Sequence, residues 1–134
     1  MSDLQPVLSI GLSGHAGLTA AQLGQLAKGM AKSCLDFGID FDARFVHAPM
    51  TREERSSLLA CLRSKPWKIV AIGSSLRLIP DNTRGLEDVL DMVLSAVHPA
   101  PRLAFPTLPE EMIPTFRRLL DMSNSEHVSL PSLK

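Results

Sequence analysis

The sequence predicts an α/β sandwich: a four-stranded parallel sheet with helices on both faces. Three observations predict it. Strand-like and helix-like apolar patterns alternate from end to end. Each connection is long enough to hold a helix, as parallel crossovers require, and such crossovers are right-handed. Each strand-like run ends in turn-forming or polar residues: Ser13-Gly14-His15-Ala16-Gly17, His47-Ala48-Pro49, Gly73-Ser74-Ser75-Leu76-Arg77 and Pro106-Thr107.

The strand-like runs are residues 7–12, 42–46, 68–72 and 102–105. The third is continuously apolar after Lys68, as a central strand covered on both faces should be, and the first is similar. The order expected for such a chain is 2-1-3-4, a flavodoxin-like or Rossmann-like three-layer sandwich one strand short. In that order the first and third strands flank the switch point, where open α/β sheets place their ligands.

The helices follow from caps and periodicity. Thr19 and Gln22 form a capping box, apolar residues follow from Leu23 to Leu35 at helical spacing, and Gly38 suits the stop. Thr51 and Glu54 open a second helix that buries Leu58, Leu59 and Leu62 and stops before Pro66. A third runs from about Asn82 to Val97 with the stripe Leu86, Val89, Leu90, Val93, Leu94 and Val97, and His98-Pro99 ends it. A fourth begins near Thr107 with Glu110 completing a capping box, and Pro114 sets off a short turn at residues 109–113. Phe116, Leu119 and Leu120 form its buried face. Residues 1–120 read as one domain. Residues 121–134, with four serines and no clear period, read as a flexible tail.

Bulk properties exclude several classes. The 134 residues suit one core. Lys+Arg and Asp+Glu balance at 14 each, so nothing favours nucleic acid or an anionic membrane. No apolar run approaches a membrane span and no secretory signal precedes residue 6, so a cytoplasmic location is expected. Cys34 and Cys61 fall at apolar helix positions and read as buried free thiols in a reducing compartment, with a disulfide as the alternative. So small a sheet leaves an edge, and a homodimer through helices or an edge is expected.

The chemistry-bearing residues gather at the strand ends. Gly11-x-x-Gly14-x-x-Gly17 lies where a phosphate loop belongs, but it departs from G-x-G-x-x-G and lacks a P-loop lysine. Few aromatics argue against flavin. Ser13 and Ser74 replace the acidic residues a phospho-acceptor domain would need. His15, flanked by Gly14 and Ala16, reads either as a general acid–base group or as a surface histidine capping the turn. His47 ends the second strand. No carboxylate or thiol accompanies the two histidines at ligand spacing, so no metal is expected. Ser74 and Ser75 are candidate hydrogen-bond donors or nucleophiles, without a G-x-S-x-G elbow. Arg77, between two leucines, suits a carboxylate or phosphate, or an ion pair with Asp81 or a dimer mate. Arg84 opposes the dipole of the third helix, which points to binding or to a pair with Asp81 or Asp88.

The stretch Ile72-Gly73-Ser74-Ser75-Leu76-Arg77, then Pro80, Ala100-Pro101, Phe105-Pro106-Thr107 and Pro109-Glu110 resembles a family of small microbial α/β proteins. That family carries I-G-x-G-(L or V)-R, then P, A-P and F-N-T-x-P-E, and the resemblance spans roughly residues 68–120. It implies the fold and no established activity, and its arginine falls on Arg77. Ser75 replaces the family's glycine and Pro106 its asparagine.

These readings lead to a cofactor-independent enzyme, an isomerase, cyclase, lyase or hydrolase, acting on an organic metabolite. His15 would move protons, Ser74 and Ser75 would hold an oxyanion, and Arg77 would anchor an acidic group. Ser13, His47, Arg84 and Thr107 would contact substrate, and Met50, Leu76, Leu78 and Ile79 would line the pocket. The competing reading is a non-catalytic module holding a small ligand or a partner protein. A third is a nucleotide-binding accessory protein.

Overall fold

A computed structural model describes residues 3–125, apart from the side chains of His15 and of residues 123–125. Four strands, β1 (Gln5–Leu12), β2 (Ile39–Val46), β3 (Ile69–Ile72) and β4 (Arg102–Ala104), form one parallel sheet in the expected order β2-β1-β3-β4. The helices are α1 (Ala20–Leu35), α2 (Arg52–Ser64), α3 (Ser74–Leu78), α4 (Thr83–Ala96) and α5 (Met112–Ser125).

Side-chain parity along the strands sorts the core into two faces. Leu8, Ile10, Val70 and Ile72 point one way and pack with Leu58 and Leu62 of α2 and Val89 and Val93 of α4. Val7, Ile39, Phe41, Ile69, Ala71 and Ala104 point the other way and pack with Cys34 of α1 and Phe116, Leu119 and Leu120 of α5. Every residue of β3 is buried, as expected for a central strand.

Both expected boxes are present at the starts of α1 and α2, with Thr19–Gln22 and Thr51–Glu54 exchanging bonds. At the fourth helix Glu111, not Glu110, does the capping. Its Oε1 accepts from the N–H groups of Thr107 and Leu108, because a 3-10 turn at Pro109–Glu111 starts after Leu108.

Other boundaries differ from expectation, and β1 begins at Gln5 rather than 7. β2 begins at Ile39 rather than 42: Asp40 and Asp42 alternate with buried Ile39 and Phe41, as they can on an edge strand whose second face meets water. Residues 74–82 form α3 and a 3-10 turn (Pro80–Asn82) rather than an open loop. Helix α5 continues to Ser125, into the segment expected as tail, since no breaker precedes Pro131. Residues 126–134 of that tail lie outside the described residues. None of the described helices is long and apolar enough to cross a membrane.

Candidate functional site

On the α1/α5 face the sheet is floored by small side chains. Ala43, Ser9, Ala71 and Ala104 sit side by side across all four strands. One step toward the strand ends, Gly11 and Gly73 follow. A Cβ on Gly73 would lie 3.2 Å from Gly11 Cα, and one on Gly11 would lie 3.2 Å from the Phe45 ring. A floor this low leaves open space above it, next to the core formed by Phe41, Phe116, Leu119 and Leu120. The result is a cavity of about 240 Å³ at the C-terminal half of the sheet.

Its walls follow from the same elements. Leu23, Leu26, Ala27 and Met30 of α1 form one side, Phe41 and Phe45 of β2 the floor's margin, and Leu108, Pro109 and Met112 the other side. Ser74, Ser75 and Thr107 supply hydroxyls at the strand ends. Among the described residues that line the cavity, none is ionisable.

The structure thus brings Ser74, Ser75 and Thr107 together, and Ser13, His47, Arg77 and Arg84 are not among the residues lining the cavity. Ser13 is half-buried and its N–H donates to Val46 O at 2.8 Å, extending the sheet. His15 opens a 3-10 turn (His15–Gly17) between β1 and α1. Its side chain lies outside the described part of the structure. Gly14 and Gly17 take left-handed φ values of 79° and 73°, which glycine adopts freely, and Ala16 takes 54°.

Arg77 is committed elsewhere. Its Nε donates to Ile72 O and one terminal nitrogen to Pro106 O, both at 3.1 Å, and the guanidinium lies over the Phe105 ring. These two carbonyls hold the guanidinium in place of the alternative ion pair with Asp81. Arg84 is exposed in the first turn of α4, and Asp88, one of its expected partners, pairs instead with Arg55 at 3.1 Å.

His47 belongs to the start of α2. Its Nδ1 lies 2.6 Å from Glu54 Oε2, and its N–H donates to Glu54 Oε1 at 3.1 Å. It is not among the residues lining the cavity.

The expected apolar lining also moves. Leu76 is buried in the opposite core and Met50 packs against it. Leu78 and Ile79 are exposed. The helical geometry of α3 causes this, since it turns Leu76 under the sheet's other face. The α1 and β2 walls were not singled out from sequence. The available signal is the parity of the small residues Ser9, Gly11, Ala43, Ala71 and Gly73, which all fall on one face.

Among the described residues, no group of three or more His, Cys, Asp or Glu side chains could hold a metal ion. Compared with protein-family models, with curated proteins and with solved structures, the chain matches none.

Proposed function

We propose that the cavity binds a small, mainly apolar organic molecule bearing one or two hydrogen-bonding groups. The character of the walls carries this reading: carbon-rich sides, hydroxyls from Ser74, Ser75 and Thr107 at one end and Ser9 on the floor, and no ionisable group among the described lining residues. Ligand pockets share that composition and typically start near ~300 Å³, so the volume suits a compact molecule. The buried free thiols of Cys34 and Cys61 support a reducing, cytoplasmic setting. The sheet order and the position of Arg77 support membership of the small microbial α/β family.

A second reading is the cofactor-independent enzyme. His15 lies in the turn joining β1 to α1, two elements that line the cavity, and Ala16 beside it holds a left-handed backbone that L-residues disfavour by roughly 1–2 kcal/mol. In this reading His15 moves a proton, while Ser74 and Ser75 hydrogen-bond the oxygen that gains charge. Arg77 then acts as a brace for the cavity wall rather than as an anchor.

The test is a thermal-shift panel of compact aliphatic and aromatic alcohols and acids, with nucleotides included. A hit should raise the melting temperature of the wild type and of His15→Ala, but not of Ala71→Leu, whose added side chain fills the floor. If Ala71→Leu folds and responds like the wild type, the cavity is not the site. Loss of turnover with retained binding in His15→Ala selects the enzyme reading. Equal conversion by both proteins removes His15 from any chemistry.

A further inference from the structure

We propose that two copies of this chain join edge to edge through β2, about a two-fold axis at Ala43, into one eight-stranded sheet. The inference stands apart from what the cavity binds.

The backbone sets the possible pairings. Gln5 N–H donates to Gly38 O and Ser13 N–H to Val46 O, so the even-numbered residues of β2 turn their backbone groups toward β1. Residues 39, 41, 43 and 45 therefore turn theirs away from β1, where no other described strand pairs with them; Ile39 and Phe41 are buried, and Ala43 and Phe45 are half-buried. Among the described residues, one hydrogen bond meets this row: Ala43 N–H donates to Asp42 Oδ1 at 2.8 Å. β2 is eight residues long and contains no proline, the condition for a pairing edge. The opposite edge, β4, is a three-residue strand flanked by Pro101 and Pro106.

Charge chooses the register. With the axis at Ala43, Asp42 lies opposite the partner's Arg44, and Arg44 opposite the partner's Asp42. On the other face Phe41 lies opposite the partner's Phe45. Directly opposed opposite charges and aromatic pairs are the favourable cross-strand units. An axis at Phe41 or Asp42 opposes acid to acid, one at Arg44 opposes arginine to arginine, and one at Phe45 leaves both charges unmatched. In the single chain Asp42 and Arg44 pair with each other at 3.3 Å, each side chain more than 40% exposed, so both can exchange partners.

The helices leave room. Leu23, Leu26, Ala27 and Met30 of α1 face the cavity. By helical spacing the flank about a quarter-turn away carries Ala20, Gly24 and Leu35, while Ala31 packs on the core. Nothing lies within 4 Å of a Cβ built on Gly24, and Leu35 is 55% exposed.

Sedimentation equilibrium tests the pairing, with circular dichroism to show that each variant folds. The wild type should dimerise. Asp42→Arg and Arg44→Asp should each raise the dimer Kd at least about tenfold, because each opposes like charges twice. An equimolar mixture of the two variants should recover a mixed dimer, since every opposed pair is then one acid and one base. A wild type that is monomeric at about 0.5 mM overturns the proposal. So does a dimer indifferent to both reversals, or a mixture no tighter than the separate variants.

Discussion

Arg77 reaches from α3 across the ends of β3 and β4, holding the carbonyls of Ile72 and Pro106. Those two strands pair through only three registers, so their ends have little other support. Pro106 and Thr107 are also cavity wall, and the brace therefore fixes part of the site. A half-buried guanidinium bonded to two carbonyls should matter to stability, because hydrogen bonds to charged groups contribute about 1.5–3 kcal/mol and solvent screening trims that here. Arg77→Met, which keeps the stem, should lower unfolding free energy by about 2 kcal/mol in urea titration. Arg77→Lys should recover only part, since a point charge cannot span both carbonyls. An unfolding midpoint unmoved by Arg77→Met would show that the bonds contribute nothing and return Arg77 to the role of ligand anchor.

At the scale of elements, the first turn of α2 couples a helix cap to the end of β2. Thr51 Oγ1 accepts from Glu54 N–H, and Glu54 Oε1 accepts from Thr51 N–H at 3.0 Å and His47 N–H at 3.1 Å. Burial pushes the Glu54 carboxyl up, but the bonds from Thr51 and His47 outweigh it and hold it below its ordinary value. A depressed carboxylate stabilises the fold above its unfolded value, and the contribution is lost as pH falls through the folded one. Glu54→Gln should cost about 1 kcal/mol near neutrality. The gap to the wild type should narrow as pH falls below the ordinary glutamate range, closing once the lowered carboxyl is itself protonated. Urea midpoints at three pH values measure this, and a gap constant across them would rule out a role for the charge. The Thr51 and Thr19 boxes were legible because a cap is written within four residues. The sheet order was legible because crossover rules leave few choices for alternating elements. The start of β2 was obscured by Asp40 and Asp42, which mask an edge strand's alternation. The cavity was only half legible. Ser74, Ser75 and Thr107 follow strand ends, but the α1 and β2 walls depend on which residues share a face after packing, and no local motif records that.

Across the whole molecule the two faces of the sheet are built differently. On one, α2 and α4 pack on a continuous core, joined at the surface by Arg55 and Asp88, and Trp67 is buried there with its indole N–H on Cys61 O. On the other, the cavity lies between α1 and α5, and α1 buries only Leu23 and Cys34 fully while carrying Gly24 and Gly29. Fewer buried apolar contacts and two interior glycines lower the free energy needed to detach α1. Each face contains one buried cysteine, Cys34 beside α5 and Cys61 beside α4, so the chain carries its own probes of local opening. Burial pushes the Cys34 thiol up to about 11, so near neutrality the closed form offers almost no thiolate, and alkylation must wait for the face to open. Iodoacetamide labelling followed by mass spectrometry should modify Cys34 at least about tenfold faster than Cys61, the ratio that a difference of about 1.4 kcal/mol in opening free energy produces. A compound that fills the cavity should slow Cys34 and leave Cys61 unchanged, because it tethers α1 without touching the α2/α4 core. Equal rates at both cysteines, matching global unfolding, would mean that the sheet and all its helices open as one unit and that the cavity does not weaken its face.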